Sequence, residues 1–148
     1  DLDVHQGDGT AKIFENNNQV YTLSIHSKKN YPLVKQKSDK DIELEDNITD
    51  DDYLNTVSKS LEIVNKMNFD FVFYVAGVDI HKNDKLGKLN ISTEGIVKRE
   101  KMVIKNFYKN NIPLCGVLGG GYNKDFDHLV YLHSILHRTC HGIINNEY

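Results

Sequence analysis

The chain has 148 residues, a length that suits one domain with a buried core. Hydrophobic residues make up 39% and charged residues 26%, as in a globular chain, and no apolar run is as long as a membrane span. The net charge of −3 with dispersed lysines disfavours direct nucleic-acid binding, and the two cysteines, Cys115 and Cys140, favour a reducing compartment over a disulfide framework. We therefore expect a cytoplasmic protein, or a nuclear one in a eukaryote.

The first ten residues, DLDVHQGDGT, place three carboxylates and an imidazole within eight positions. If the apolar residues between them face a core, strand alternation brings the polar ones to the opposite face: Asp1, Asp3 and His5. Carboxylate oxygen together with imidazole suits zinc or iron(II) better than calcium. Taken alone, an Asp-x-His match favours a simple surface turn, because such short matches recur by chance.

Residues 10–18 are predicted to form one helical turn and a loop, and residues 20–25 an alternating, β-branched strand. Residues 28–40 have no period and are predicted to be a lysine-rich surface loop. Thr49 followed by three aspartates predicts a helix start, since the helix dipole favours acidic residues in the first turn. Helical spacing extends this helix to about Met67, with one apolar stripe: Tyr53, Leu54, Val57, Leu61 and Val64.

Residues 69–76 form a nearly continuous apolar run, which is typical of a strand buried on both faces in a parallel sheet. Ser92 or Thr93 is predicted to cap the next helix. Residues 112–118 are predicted to be a strand that leads into three glycines and Tyr122. The last predicted helix runs from Asp125 to about His137, with this apolar stripe: Phe126, Leu129, Val130, His133 and Leu136.

Alternating strands and helices indicate βαβ units and a doubly wound parallel sheet. Ligands of such sheets bind beyond the carboxyl ends of the strands. The residues with chemical potential follow four predicted strands in turn: Asp3 with His5, then His26, Asp79 and Tyr122. We therefore expect them at one edge of the sheet, although Asp79 alone is equally compatible with a turn or a helix cap.

The opening motif resembles the metal-binding motif of the histone deacetylase superfamily, and Gln6, where many members carry a second histidine, makes it similar to the class IV branch. Ala76-Gly-Val-Asp79 resembles the segment that supplies the third metal ligand. Gly119-Gly-Gly-Tyr122-Asn resembles the loop that carries the active-site tyrosine. The resemblance covers nearly the whole chain and implies an α/β, three-layer αβα fold of the arginase/deacetylase type, with a mainly parallel sheet that is incomplete at the N-terminus.

The resemblance also implies a zinc ion, or iron(II), held by Asp3, His5 and Asp79 with an open coordination position. Tyr122 would stabilise an oxyanion, and Gly120 and Gly121 would contact the substrate. Two further acids, Asp1 and Asp8, would orient a pair of adjacent histidines that this sequence does not contain. On this basis residues 1–148 are expected to be the C-terminal portion of a single histone deacetylase-like domain.

Relatives also enclose potassium ions, largely through backbone carbonyls. The resemblance implies one potassium site at Asp1, Asp3, His5, Ser24 and Ile25. It implies a second potassium site at Phe14, Asn17 and Val20. One departure from the family pattern is Tyr31-Pro-Leu33, where relatives have Pro-Gly on the rim of the site, so the resemblance implies neither the shape of the rim nor the substrate preference.

By resemblance, the function is zinc-dependent removal of acyl groups from acylated lysine or a related acylamine. The N-terminal half would be supplied in cis or in trans, and the chain alone would be nearly inactive. The alternative is a catalytically silent metal-binding remnant or a partner-dependent subunit. A phosphatase of the haloacid dehalogenase type fits poorly, because His5 stands where that family has Thr or Val.

His81 is expected to face solvent, and the histidines at 133, 137 and 141 to be packed or solvated on a helix.

Overall fold

The computed structural model describes residues 1–147, which form four helices and four strands. In chain order these are α1 (Asp8–Phe14), β1 (Leu23–Ser27), β2 (Lys40–Leu44), α2 (Asp50–Val64), β3 (Val72–Ala76), α3 (Thr93–Lys109), β4 (Leu114–Leu118) and α4 (Phe126–Ile144). The predicted α/β class is confirmed. Within residues 1–147 no helix is both long and apolar enough to cross a membrane.

Two pairs of parallel strands are joined by the first residues of the chain. Strand β1 pairs with β2, and β3 pairs with β4. Residues 1–4, here called the seam, lie between them: the Leu2 amide donates to the Val75 carbonyl at 3.1 Å on one side. On the other side the amides of Ile25 and Ser27 donate to the carbonyls of Asp1 and Val4, at 3.0 and 2.9 Å. The spatial order is therefore β2, β1, the seam, β3, β4.

The three long helices begin at residues whose side chains cap them. Thr49 accepts a hydrogen bond from the Asp52 amide at 3.3 Å at the start of α2. Ser92 accepts one from the Gly95 amide at 3.0 Å before α3, and Asp125 accepts one from His128 at 3.0 Å before α4. These caps satisfy amide groups that lack a partner within the helix, and they confirm the predicted helix starts.

Helices α3 and α4 cover one face of the β3–β4 pair. The Tyr74 hydroxyl donates to Glu100 of α3, and Gly116 lies against Leu136 of α4. Tyr74 and Gly116 are register partners, so their contacts lie on the same face. Helix α3 also packs against α2. The core of the described chain lies between these helices and the strands.

The opposite face of this pair, here called the open sheet face, consists of Phe71, Phe73 and Val117. Phe73 is 72% exposed and Phe71 is 49% exposed, with their rings 5.0 Å apart. The prediction that residues 69–76 are buried on both faces is therefore wrong for these side chains. The reason is that residues 1–147 bury the β3–β4 pair from the helix side and leave this side in contact with solvent.

The buried side of α4 also differs from the prediction. Phe126 and Val130 are 72% and 51% exposed, and the helix continues past His137 to Ile144. A neighbouring stripe with steps of three and four residues is buried or partly buried instead: Leu129, Leu132, Leu136, Thr139 and Ile143. The sequence supports both stripes, and packing selects the one that continues over the whole helix.

Candidate metal centre

Asp3, His5 and Asp79 come together at the carboxyl ends of the strands. Their potential ligand atoms all lie within 4.8 Å of one another. The Nδ1 atom of His5 is 3.0 Å from Oδ1 of Asp3 and 3.1 Å from Oδ2 of Asp79. Asp3 and His5 belong to the seam and the turn that follows it, whereas Asp79 follows β3. The expected convergence at one edge is thus present, and the role of the three residues as ligands stays a prediction.

Backbone amides orient both carboxylates of the cluster. Asp79 accepts the Val4 amide at 2.8 Å through Oδ1, which leaves Oδ2 facing His5. Asp3 accepts the His5 amide at 2.9 Å through Oδ1 and the Gly120 amide at 2.5 Å through Oδ2. Because the donors are the amides of Val4, of His5 just after the seam, and of Gly120 in the loop after β4, the backbone of two segments determines where the carboxylates point.

Two glycines allow this close approach. A β-carbon at Gly120 would overlap the Asp79 carboxylate and would lie 2.8 Å from Oδ2 of Asp3. A β-carbon at Gly77 would lie 2.5 Å from the same oxygen of Asp3 and 2.6 Å from its Cα. Each glycine is therefore required by the space around the carboxylates, at the two loops that follow β3 and β4.

The electrostatics of the cluster suit a divalent cation. Hydrogen bonds that the His5 ring donates to Asp3 and then to Asp79 raise the pKa of His5 to about 9. Burial raises the pKa of Asp79 to about 6. For Asp3, burial is outweighed by hydrogen bonds from His5 and Gly120, and the pKa falls to about 2. At neutral pH a proton on His5 thus balances one of two carboxylates, and a dication bound by the same three groups would replace that proton. The donor set fits zinc or iron(II).

Tyr122 lies beside the cluster at the end of the glycine-rich loop. Its ring is edge-on to the His5 ring with 6.0 Å between the centroids, and the side chain is 44% exposed. The Tyr122 amide donates to Oδ2 of Asp84 at 2.7 Å, while Oδ1 of Asp84 accepts the amides of Leu86 and Gly87. Asp84 is not among the site residues predicted from the sequence, although its place in an Asp-x-x-Gly turn is a signal.

The other site residues predicted from the sequence are placed as follows. Asp1 accepts the Asp3 amide at 3.0 Å through Oδ1, and Asp8 accepts the Gly9 amide at 2.9 Å. Gly120 and Gly121 lie in the loop after β4, where Gly121 faces Leu129 and His133. The structure thus places Asp1 beside the cluster and gives Asp8 a local contact at the start of α1.

The two sets of predicted potassium ligands form compact groups. Ser24 and Ile25 are buried in β1 next to the seam, and the Ile25 amide contacts the Asp1 carbonyl. In the second set, the carbonyls of Phe14 and Asn17 accept the amides of Asn17 and Val20 at 2.9 and 3.1 Å. Potassium binding by either set stays a prediction.

Two histidine predictions are wrong. His26 does not follow a strand: it lies inside β1, fully buried, with Nδ1 2.9 Å from the Ser24 hydroxyl. His81 does not face solvent, because a bridge between residues 81 and 91 places its loop over the start of α3. Its ring is 2% exposed in the fold, with Nε2 3.1 Å from the Thr93 hydroxyl.

Gln6 has a structural role that the sequence does not reveal. Its buried amide group donates to the Gln36 carbonyl at 2.7 Å and to Oδ1 of Asp41 at 2.8 Å. Its oxygen accepts the Gln36 amide at 2.8 Å. The glutamine therefore ties the loop of residues 28–39 to the segment that carries Asp3 and His5.

Comparisons with known proteins agree with this geometry. The fold and the cluster define an α/β protein with a carboxylate–imidazole centre at the carboxyl edge of its sheet. The family model described as "Histone deacetylase domain" matches residues 1–135, and the chain belongs to this family.

An uncharacterized protein of Picosynechococcus sp. is 44% identical over 144 residues, which cover 97% of this chain and 48% of that protein. Histone deacetylase 2 of Arabidopsis thaliana is 36% identical over 129 residues, covering 84% of this chain and 33% of that protein.

Solved structures confirm the deacetylase-like fold. An acetylpolyamine aminohydrolase from Burkholderia pseudomallei superimposes with a TM-score of 0.80 at 18% identity, covering 94% of this chain and 43% of that one. A histone deacetylase homolog from Aquifex aeolicus gives 0.76 at 24% identity, covering 94% of this chain and 40% of that one. The chain thus spans a third to a half of the relatives described here. Its assignment to the class IV branch stays a prediction.

Proposed function

We propose that this chain forms the metal-binding part of a zinc-dependent amidohydrolase that removes acyl groups from acylated lysine or related amines. The observation that carries the proposal is the convergence of Asp3, His5 and Asp79 at the carboxyl edge of parallel strands, in a chain of the histone deacetylase domain family. Two relatives are named as a histone deacetylase and an acetylpolyamine aminohydrolase, which supports an acylated amine as the substrate.

Asp3, His5 and Asp79 would hold the zinc ion, which when bound polarises an acyl carbonyl and activates water. The residues of the chain then have separate tasks. The Gly120 amide keeps the Asp3 carboxylate in place. The exposed Tyr122 side chain can donate a hydrogen bond to the acyl oxygen as negative charge develops there.

We further propose that catalysis needs the histidine pair expected upstream of Asp1, as general base and acid. General acid–base catalysis typically contributes about 10²–10⁴-fold, so the chain alone should be nearly inactive. The partner would be the N-terminal half of the domain, in cis or in trans. An open apolar groove of about 620 Å³ beside the seam, lined in part by Leu23, Val72 and Phe73, is consistent with a further apolar segment packing there.

Zinc binding is tested first. The purified chain should bind one zinc ion, and Asp79→Asn should bind it much more weakly, because the amide retains the hydrogen bond to Val4 and loses the anionic ligand. Asp70→Asn, at an exposed acid away from the cluster, is the matched control. Unchanged zinc stoichiometry and affinity in Asp79→Asn would remove Asp79 from the ligand set.

Catalysis is tested by completing the domain. The chain is co-expressed with the N-terminal half of the Picosynechococcus relative, and turnover of an acetyl-lysine peptide and an acetylated polyamine is measured. Turnover that is lost in Tyr122→Phe supports the deacylase. A completed complex that binds zinc and turns over neither substrate would favour the alternative, a catalytically silent metal-binding subunit.

A further inference from the structure

Arg99 is a fully buried cation in the middle of α3, and it contacts the backbone on both sides of the metal cluster. Its Nη1 atom donates to the Gly77 carbonyl at 2.7 Å and to the Leu2 carbonyl at 3.2 Å. Leu2 directly precedes Asp3 in the sequence, and Gly77 lies two residues before Asp79. One guanidinium nitrogen thus joins the two segments from which all three predicted ligands arise.

We propose that Arg99 is a positioning residue, which sets the distance between the Asp3–His5 segment and the Asp79 segment and thereby tunes the affinity of the metal centre. The inference rests on the metal-dependent function proposed above. In this role Arg99 has no contact with the metal or with substrate. It acts through the two carbonyls, and so through the backbone that carries the ligands.

The surroundings of Arg99 are built to hold its guanidinium in one orientation. Glu100, 1% exposed, accepts a hydrogen bond from Nη2 of Arg99 at 2.5 Å through Oε1. Its other oxygen accepts the Tyr74 hydroxyl at 2.7 Å, and the Tyr74 ring lies 5.9 Å from the guanidinium carbon. The charge of Arg99 is therefore paired with that of Glu100, and Tyr74 of β3 orients the Glu100 carboxylate.

A buried ion pair is a poor explanation for stability alone. Removing two charges from water is costly, and replacing such a pair by packed apolar residues is often neutral or stabilising. What an apolar residue cannot do is donate to two carbonyls and a carboxylate at once. The planar guanidinium has five N–H groups in a rigid arrangement, whereas a lysine has one flexible nitrogen. The geometry of Arg99 matches the positioning role.

The test separates metal affinity from folding. Zinc dissociation constants are measured by competition with a chelator, and the free energy of unfolding is measured for the metal-free form of the same variants. Arg99→Met should weaken zinc binding by about 10–100-fold, the range found when groups that orient metal ligands are removed. Lys98→Met, the adjacent exposed lysine on the same helix, should leave affinity unchanged.

A second variant covers the case in which Arg99→Met fails to fold. Arg99→Lys keeps the charge and loses the simultaneous contacts, so it should weaken zinc binding by a smaller factor and alter the visible absorption spectrum of the cobalt(II)-substituted chain. A purely structural role would lower the stability of the metal-free form and leave both the zinc affinity of the folded protein and the cobalt spectrum as in the wild type. That result would overturn the inference. If the wild type itself binds no zinc, the proposed function fails instead.

Discussion

The backbone amide of Tyr122 donates a hydrogen bond to Oδ2 of Asp84, with 2.7 Å between the nitrogen and the oxygen. The two residues are 38 positions apart in sequence and belong to the loops after β4 and β3. Since Oδ1 of Asp84 is held by the amides of Leu86 and Gly87, the carboxylate is itself fixed. One acid therefore determines where the glycine-rich loop presents its tyrosine.

Replacement of this acid should release the loop. In Asp84→Ala the Tyr122 amide loses a charged acceptor, a hydrogen bond worth about 1.5–3 kcal/mol, so its hydrogen exchange should accelerate by about 10–100-fold. Exchange of residues 119–123 is measured by mass spectrometry, with Asp127→Ala as the exposed control. Exchange at the wild-type rate would show that the loop is held by other contacts.

Gly120 should be intolerant of any side chain. A β-carbon there would overlap the Asp79 carboxylate, so Gly120→Ala must displace Asp79 or Asp3 and should weaken zinc binding by about 10–100-fold. The control is Gly9→Ala in α1, where a β-carbon meets nothing within 4 Å. That variant should be as stable as the wild type, or more stable by about 0.5–1 kcal/mol. Equal zinc affinity in both variants would contradict the geometry of the cluster.

Burial of His26 should make the fold sensitive to mild acid. Burial lowers the pKa of His26 below its ordinary value of 6.5, with Asp41 and Glu43 opposing and Lys35 reinforcing the shift. Below pH 6.5 His26 in the unfolded chain then binds a proton that His26 in the folded chain does not. The contribution of His26 to the free energy of unfolding is therefore complete above about pH 6.5 and is lost as the pH falls.

His26 should therefore contribute a decrease in the free energy of unfolding from about pH 6.5 downward, and His26→Gln should remove that part of the slope. Asp79, whose pKa is raised to about 6, contributes in the opposite direction. The pKa values of His81 and His133 are also lowered by burial, so part of the slope should persist in that variant. The measurement is urea denaturation between pH 5 and 7.5. A slope equal to that of the wild type would mean that His26 does not titrate in this range.

The open sheet face should make the isolated chain self-associate. A phenylalanine side chain contributes about 1.5–3 kcal/mol when fully buried, and the Phe73 ring is mostly exposed. Phe73→Ser should shift the sedimentation profile toward monomer and should weaken assembly with the proposed N-terminal half. Tyr108→Ser, at an exposed aromatic residue on α3, should change neither property. A monomeric wild-type chain that unfolds cooperatively would contradict this expectation.

The sequence predicts those features that depend on local pattern and chain order. The caps at Thr49 and Ser92 determine where α2 and α3 begin, and the topology of a parallel sheet brings Asp3, His5 and Asp79 to one edge. Strand β2 is not predicted, because its five residues, KDIEL, include three charged ones, and pairing with β1 decides its structure. Partner strands are not visible in a local pattern.

The position of Arg99 and Glu100 could not be predicted for a different reason. Arg99 and Glu100 lie at helical spacing between Ile96 and Val103, but adjacent charged residues on a helix ordinarily face solvent, so the local pattern alone does not predict their burial. What distinguishes them is a set of partners 22 to 97 positions away, the carbonyls of Gly77 and Leu2 and the hydroxyl of Tyr74. The same holds for His81, whose burial depends on a bridge to residue 91.

The position of the metal cluster at the end of the seam also matters for the entropy of the unfolded chain. His5 and Asp79 are separated by 74 positions, so an ion that binds both would close a long loop, as a disulfide does. It would connect a segment hydrogen-bonded to β1 with a segment that follows β3, and so link the two strand pairs. Removing the ion with a chelator would then let the β1–β2 pair and the β3–β4 pair unfold separately. The single unfolding transition of the chain would broaden before helical content is lost.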